Sequence, residues 1–353
     1  MQNTAFCPNI FFPPRPYSKT EVLTVKKERW ILLCIFTALL MLTVGSRAAL
    51  DGAAKGVELV LWRVLPSALP FMILANLTGR YAGRQLLPAL LTGNLAGYPA
   101  GASLCVRLAD GFSETDTFLL LTACVGMGPG FTIGTIGTAI FQRPSVGVIL
   151  FASQLLTSLT AAVPLLLRRR GHASLPSECH PFAVSLTEAI KESSRSMLSV
   201  GGTIVFFSCL LSAAADRFGF PRGRLGMTLA GLLEISNGCA RATPSFGESG
   251  IVLLGFLLGF GGVSVLCQLL AITQESGIPA KTVLLSRLFA SLLGGGYTFL
   301  LCRLFPAALE SATFSPATDF AAFHPFPLAF TLCLLVLSLL LCDRRTLTAR
   351  ISP

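Results

Sequence analysis

The sequence predicts an all-α, polytopic membrane protein built as an inverted repeat, with two re-entrant hairpins and broken transmembrane helices. Three observations carry that prediction. Of 353 residues, 53% are hydrophobic and 12% charged, about half the roughly 25% charge of a soluble domain, and mean hydropathy is +0.71. Ten apolar segments recur at lengths close to the ~20 residues that a crossing helix needs. The order of those segments repeats between the two halves. This composition argues against a soluble enzyme and is too apolar for a disordered chain.

Charge and cysteine usage narrow the class further. The 27 Lys+Arg against 17 Asp+Glu leave +10, in short runs beside apolar stretches, as cytoplasmic loops read. A nucleic-acid face needs a basic stripe in polar surroundings, so nucleic acid is not an expected partner. The 11 cysteines form no C-x-x-C pair, and Cys34, Cys105, Cys124, Cys209, Cys239, Cys267, Cys302 and Cys333 lie in apolar segments as small hydrophobes. His172 with Cys179-His180 lacks regular ligand spacing and reads as a polar loop. No nucleotide-binding, zinc-hydrolase or serine-hydrolase motif occurs. No enzyme activity, metal or cofactor is expected.

Taken in order, residues 1–29 form a cytoplasmic tail ending in Lys26-Lys27-Glu28-Arg29, and Trp30 to Leu50 an uncleaved anchor helix. Ser46-Arg47-Ala48 would suit a signal-peptide cut, but the basic leader is long for one. Further apolar segments fall at 66–79, 86–109, 117–141, 145–167, 198–215, 224–242, 250–274, 281–305 and 325–342. The runs Lys26 to Arg29, Arg168-Arg169-Arg170 and Arg344-Arg345 all belong in the cytoplasm. Two cytoplasmic points are joined by an even number of crossings, yet five segments lie between each successive pair. One segment in each half therefore enters and leaves on one side.

Those two are 86–109, broken by Gly97-Tyr98-Pro99-Ala100-Gly101, and 224–242, which holds Glu234 and a tip at Ser236-Asn237-Gly238. Pro and Gly disfavour a straight helix there. Eight crossings and two hairpins result, with both termini and the 169–185 loop cytoplasmic. Residues 307–353 carry an external loop, the last crossing and a basic tail. Arg217, Arg222 and Arg224 stand against this scheme, which puts them outside.

The first repeat, 51–168, opens with an amphipathic surface helix carrying Asp51, Lys55 and Glu58. An apolar helix, a broken hairpin, a Gly-interrupted helix and a plain helix follow. The second, 186–306, opens with Glu188, Lys191, Glu192 and Arg195 and runs through the same order. Lys55 aligns with Lys191, Gly93 with Gly231, and Gly126-Met127-Gly128-Pro129 with Gly259-Phe260-Gly261-Gly262, at offsets of 133 to 138 residues. Three crossings per repeat invert the second half relative to the first, and paired broken segments then point to a site near the midplane.

Breaks are expected at Gly97, Pro99 and Gly101, at Gly128, Pro129 and Gly130, at Gly238, and at Gly261 and Gly262. Gly134, Gly137 and Gly294-Gly295-Gly296 read instead as close-packing positions. Of the 17 acids only Glu234 lies deep in an apolar segment, and an intramembrane carboxylate marks a functional site by default. Pairing with Arg241, seven residues on, is the structural alternative. The candidate solute-binding residues are Glu234, Ser236, Asn237, Ser264, Gln268, Tyr98 and Thr132. Ser264 and Gln268 share a helical face at i, i+4. Thr132 and Thr135 follow Gly130 similarly, although threonine hydroxyls readily bond back within their helix. Asn94 and Gln154 read as interhelical glue.

The stretches Gly97 to Ala102, Gly128 to Gly134, Leu233 to Gly238, and Phe260 to Val265 with Gln268 resemble the nucleoside-recognition or Gate domain family, including its sporulation-linked integral membrane proteins. Trp62 to Phe71, with Leu65-Pro66-Ser67-Ala68-Leu69-Pro70, adds to the resemblance, which spans residues 50–306. It implies an inner-membrane protein of Bacillota type, linked to spore formation. It also implies kinship with concentrative nucleoside transporters and the membrane part of the ferrous-iron transporter FeoB. One departure is that Val125 and Gly126 stand where the family has an Asn pair, removing two polar side chains from the presumed site.

The expected function is to bind or translocate a small polar solute between hairpin tips and broken helices. The alternative is a non-transporting sporulation or envelope scaffold with the same fold. Expected partners are the lipid bilayer and a small polar solute, a nucleoside or an ion. The sequence leaves homo-oligomerisation open.

Overall fold

Backbone groups in hydrocarbon must bond within their own segment, which leaves an apolar chain of this kind little choice but helices. The computed structural model describes residues 19–82, 86–168, 181–219, 223–242, 247–274 and 276–306, and every element among them is helical. Five runs are long and apolar enough to cross a membrane: 46–81, 144–168, 182–218, 247–274 and 280–304. The expected last crossing at 325–342 and the basic runs at 169–170 and 344–345 lie outside the described residues.

The elements are α1 (Lys19–Val44), α2 (Ser46–Leu59), α3 (Leu65–Ala82), α4 (Leu86–Ala96), α5 (Tyr98–Leu108), α6 (Glu114–Cys124) and α7 (Pro144–Arg168). The second half holds α8 (Phe182–Phe218), α9 (Gly223–Leu233), α10 (Ile235–Ala240), α11 (Gly247–Phe260), α12 (Gly262–Gln274) and α13 (Ala280–Leu304). Two π-helical segments, Val60–Val64 and Gly130–Ile140, complete the set.

Several boundaries differ from expectation. The anchor ends at Val44, and Gly45 separates it from α2. The amphipathic stretch and the apolar helix of each half are continuous, as 46–81 and as α8. In the first half the π segment Val60–Val64 precedes Pro66, whose ring supplies no N–H, and the wider turn accommodates that loss. The Ser67 hydroxyl donates to the Arg63 carbonyl at 2.7 Å, and Thr135 of the other π segment donates to the same carbonyl at 3.3 Å.

The breaks are narrower than the sequence suggested. The first falls at Gly97 alone, with φ 84° and ψ −178°. Pro99 and Gly101 are helical, because the first turn of α5 has no use for the N–H that Pro99 lacks. The second spans Val125 to Pro129, and Gly130 already belongs to the π segment. The third falls at Glu234, not at Ser236-Asn237-Gly238. Gly238 is helical because its role is contact: a Cβ there would overlap the backbone of Gly231. The fourth falls at Gly261, and both Gly261 and Gly262 have positive φ, 86° and 87°.

Small residues set the packing. Helices without a hydrophobic drive to associate approach closely where side chains are minimal. Gly52 and Gly56 of α2 meet Ser208, Ser212 and Val205 of α8, and Gly137 meets Gly147. Gly255 and Gly259 of α11 lie against Gly294, Ala290 and Thr298 of α13. Large side chains such as Trp30, Phe206, Leu229 and Leu292 are exposed.

Ion pairs sort the helix ends. Arg80 at the end of α3 meets Glu188 (2.5 Å) and Glu192 (3.1 Å), and Arg107 at the end of α5 reaches Glu192 at 3.6 Å. Arg168 of α7 lies 3.6 Å from Asp116 of α6, and Thr282 of α13 donates to Glu114 at 2.9 Å. Elsewhere Arg217 of α8 donates to the Val44 carbonyl at 3.0 Å, and Arg303 of α13 pairs with Glu248 of α11 at 3.0 Å.

Candidate functional site

The four breaks converge. A cavity of about 60 Å³ is lined by Gly97, Tyr98 and Pro99 at the start of α5, by Met127, Gly128, Gly130 and Phe131 around the second break, by Glu234, Ile235 and Ser236 at the third, and by Ser264 and Val265 at the start of α12. Val64, Phe71, Met72, Leu95 and Met197 supply apolar wall, and Thr203 of α8 a hydroxyl.

Contact between breaks builds the walls. A Cβ on Gly128 would lie 2.8 Å from the Leu95 carbonyl, so only glycine lets the second break reach the turn at Gly97. A Cβ on Gly262 would lie 2.8 Å from the Gly231 carbonyl, so α12 starts against the turn at Glu234.

Glu234 is 2% exposed. Its carboxylate accepts from the backbone N–H of Ser236 at 2.9 Å and of Asn237 at 2.7 Å, and from the Asn237 carboxamide at 2.9 Å. It is thus the N-cap of α10, satisfying donors that a helix start leaves open. Among the described residues no ion pair joins it to Arg241, which sits at the C-cap of α10. Asn237 is turned away from the cavity: Ser208 of α8 donates to its Oδ1 at 2.8 Å, and its Nδ2 points to the Ile204 carbonyl at 3.4 Å.

The Tyr98 hydroxyl donates to Gln268 Oε1, and Gln268 Nε2 donates to Thr203 Oγ at 2.7 Å. This chain ties the turn of the first half to α12 and α8 of the second. Gln268 is therefore a tether behind the wall rather than part of it. Thr132 is fully buried and bonds back to the Gly128 carbonyl at 3.1 Å, so it does not face the cavity. Ser264 does, and is 3% exposed.

The electrostatics follow from helix direction. α5, the π segment Gly130–Ile140, α10 and α12 all start at the cavity. Each start carries up to about half a positive charge. The starts of α5 and the π segment have no side-chain cap, whereas that of α10 is capped by Glu234. The cavity therefore favours groups that accept hydrogen bonds.

Two side-chain roles escape the sequence reading. Thr203 carries no pattern that sets it apart from any threonine in an apolar helix. Arg287 does carry one, a cation set between the end charges Lys281 and Arg303 of the apolar segment 281–305, which is a default marker of function. It is 3% exposed and donates to the carbonyls of Val125 and, at 2.8 Å, Leu121. Asn94 is the interhelical tie expected of it, bonding the Ala123 carbonyl at 2.9 Å and Ser158 at 2.7 Å. Gln154 is buried beside Gly294, and among the described residues its Nε2 meets no hydrogen-bond partner.

The chain is similar to the sporulation integral membrane protein YlbJ of Bacillus subtilis (strain 168), 27% identical over 346 residues that cover 80% of this chain and 85% of that protein. No family model and no solved structure matches the chain. That similarity and the five helices of spanning length identify a multi-pass membrane protein.

Proposed function

We propose that this protein binds a small polar solute in the cavity between its broken helices and passes it across the membrane, in a role tied to spore formation. The observation that carries the reading is the meeting of breaks from both halves at one cavity, with Glu234, Ser236 and Ser264 on its wall. Uncapped helix starts favour a solute that presents oxygen acceptors or negative charge. A solute as large as a nucleoside requires the two turns to part.

The helix-end pairs support an inverted repeat. Arg80 precedes α4, Arg107 closes α5, and both reach Glu192. This favours a hairpin that returns to its side of entry. Arg303 pairs with Glu248 and Arg217 with the Val44 carbonyl at the far ends of α13 and α8 from their Thr282 and Glu192 contacts, and α9–α10 lies between Arg217 and Glu248 in the chain. A second hairpin entering from the opposite side fits that arrangement. Adding α1, α6 with its π segment, and the crossing expected at 325–342 to the five long runs makes eight crossings. The spore link rests on the similarity to the sporulation integral membrane protein YlbJ.

Thermal unfolding of the purified protein against carboxylates, phosphates, nucleosides and metal ions tests the reading. A solute at 100 times its Kd should stabilise by about 2.7 kcal/mol, and Ser264→Ala should weaken that response. The scaffold reading is favoured by the mostly apolar wall and by the full engagement of Glu234 as a cap. It predicts that no solute stabilises the protein and that Ser264→Leu, which fills the cavity, leaves spore yield unchanged.

A further inference from the structure

We propose that Arg287 is a resident cation: its guanidinium fills a cation site at the end of α6 that another positive ion would occupy if the side chain were removed. The proposal does not depend on what the cavity holds.

α6 stops at Cys124, inside the protein, and the break runs from Val125 to Pro129. The last turn of a helix leaves carbonyl groups without intrahelical donors, and they carry the negative end of the helix dipole. In a membrane there is no water to meet them. Carbonyls at the ends of broken membrane helices are the groups that coordinate alkali cations.

Here further protein donors converge on the helix end, where the Val125 N–H already meets the Leu121 carbonyl at 3.1 Å. Asn94 of α4 and Ser158 of α7 both donate to the Ala123 carbonyl, at 2.9 and 2.5 Å. Arg287, from α13, spans the carbonyls of Leu121 and Val125 with its two terminal nitrogens. It is 3% exposed, and among the described residues its Nε meets no partner. Among the described residues no carboxylate pairs with it, and its terminal nitrogens meet carbonyl oxygens, with the Cys105 and Cys124 thiols nearby. That is the environment of a bound metal ion, not of a salt bridge.

The second half solves the same problem without charge. There Ser291 of α13 donates its hydroxyl to the Phe256 carbonyl of α11 at 2.7 Å. The fixed cation thus belongs to one break only, the one whose Met127, Gly128 and Gly130 line the cavity. Arg287 is a positioning residue for that wall, and the wall holds its shape without sodium or potassium.

The test compares full-length wild type, Arg287→Ala, Arg287→Lys and Arg287→Met, purified and melted in choline chloride at fixed ionic strength. Guanidinium is added at millimolar levels, far below the molar range that denatures proteins, and sodium and potassium in parallel. Arg287→Ala is expected to melt lower than wild type and to recover at least half of the loss, saturably, with guanidinium or an alkali cation. Wild type and an Arg303→Ala control should not respond. A variant that responds to no cation, or a wild type that responds as strongly, overturns the proposal. If Arg287→Ala yields no folded protein, Lys and Met decide: more folded Lys variant supports a charge role, and Met equal to or above Lys overturns it.

Discussion

Gly97 and Gly128 face each other backbone to backbone: a Cβ on Gly97 would lie 3.3 Å from the Gly128 nitrogen, and one on Gly128 3.2 Å from the Gly97 nitrogen. In the other half a Cβ on Gly262 would lie 3.4 Å from the Glu234 Cα. Each turn rests on the broken helix of its own half, so neither moves without its neighbour.

The first consequence concerns Gly97. Its φ of 84° with ψ of −178° is a region open essentially to glycine. Gly97→Ala should destabilise by about 1–3 kcal/mol. Gly296→Ala, with nothing within 4 Å of the new Cβ, should cost nothing. Melting temperatures in one detergent check the difference, and equal shifts would refute it. Gly295 is no control, because its Cβ would enter the Phe256 ring.

Glu234 accepts three hydrogen bonds, two of them from backbone N–H groups. Glutamine has one acceptor oxygen, so Glu234→Gln leaves a buried donor unmet and should cost about 1–3 kcal/mol. Adding Arg241→Gln should not restore the loss. A thermal double-mutant cycle checks this, with additivity expected within roughly 0.5 kcal/mol. A coupling several times larger would reinstate the ion pair.

Tyr98→Phe removes the donor to Gln268 Oε1 and should cost about 1 kcal/mol. Because Gln268 also holds Thr203, Tyr98→Phe and Gln268→Leu should be non-additive by roughly 0.5–3 kcal/mol. Additive melting shifts would show that the chain does not act as one unit.

Sidedness is checked by labelling. Phe182 and Phe305 are exposed, at 62% and 56%. In a background with all native cysteines replaced, Cys179 beside Phe182 included, Phe305→Cys should react with an impermeant reagent on intact cells, and Phe182→Cys only after lysis. Reaction of both from one side would end the inverted-repeat reading.

What the sequence made legible was apolar run length and the positions of Gly and Pro. The turn at Gly97 and the break at Gly261 follow directly from backbone freedom. The turn at Glu234 does not, because glycine drew attention to Gly238 while a carboxylate cap made the turn without one. Ser264 could be placed because it follows a break closely. Thr203 and the Tyr98–Gln268 bond are contacts between distant segments, and no local pattern encodes them. The fusion of amphipathic and apolar stretches was hidden because a change in hydrophobic pattern marks a change of solvent, not an end of helix.

That fusion has a mechanical consequence. α8 runs unbroken for 37 residues, which at 1.5 Å each is about 55 Å, some 25 Å more than the hydrocarbon layer. Glu188 and Glu192, which hold Arg80 and Arg107, lie on the same rod as Thr203 at the cavity and Ser208 behind Asn237. A force applied at the ionic end is delivered to the cavity as tilt or rotation, with no joint along the way to absorb it.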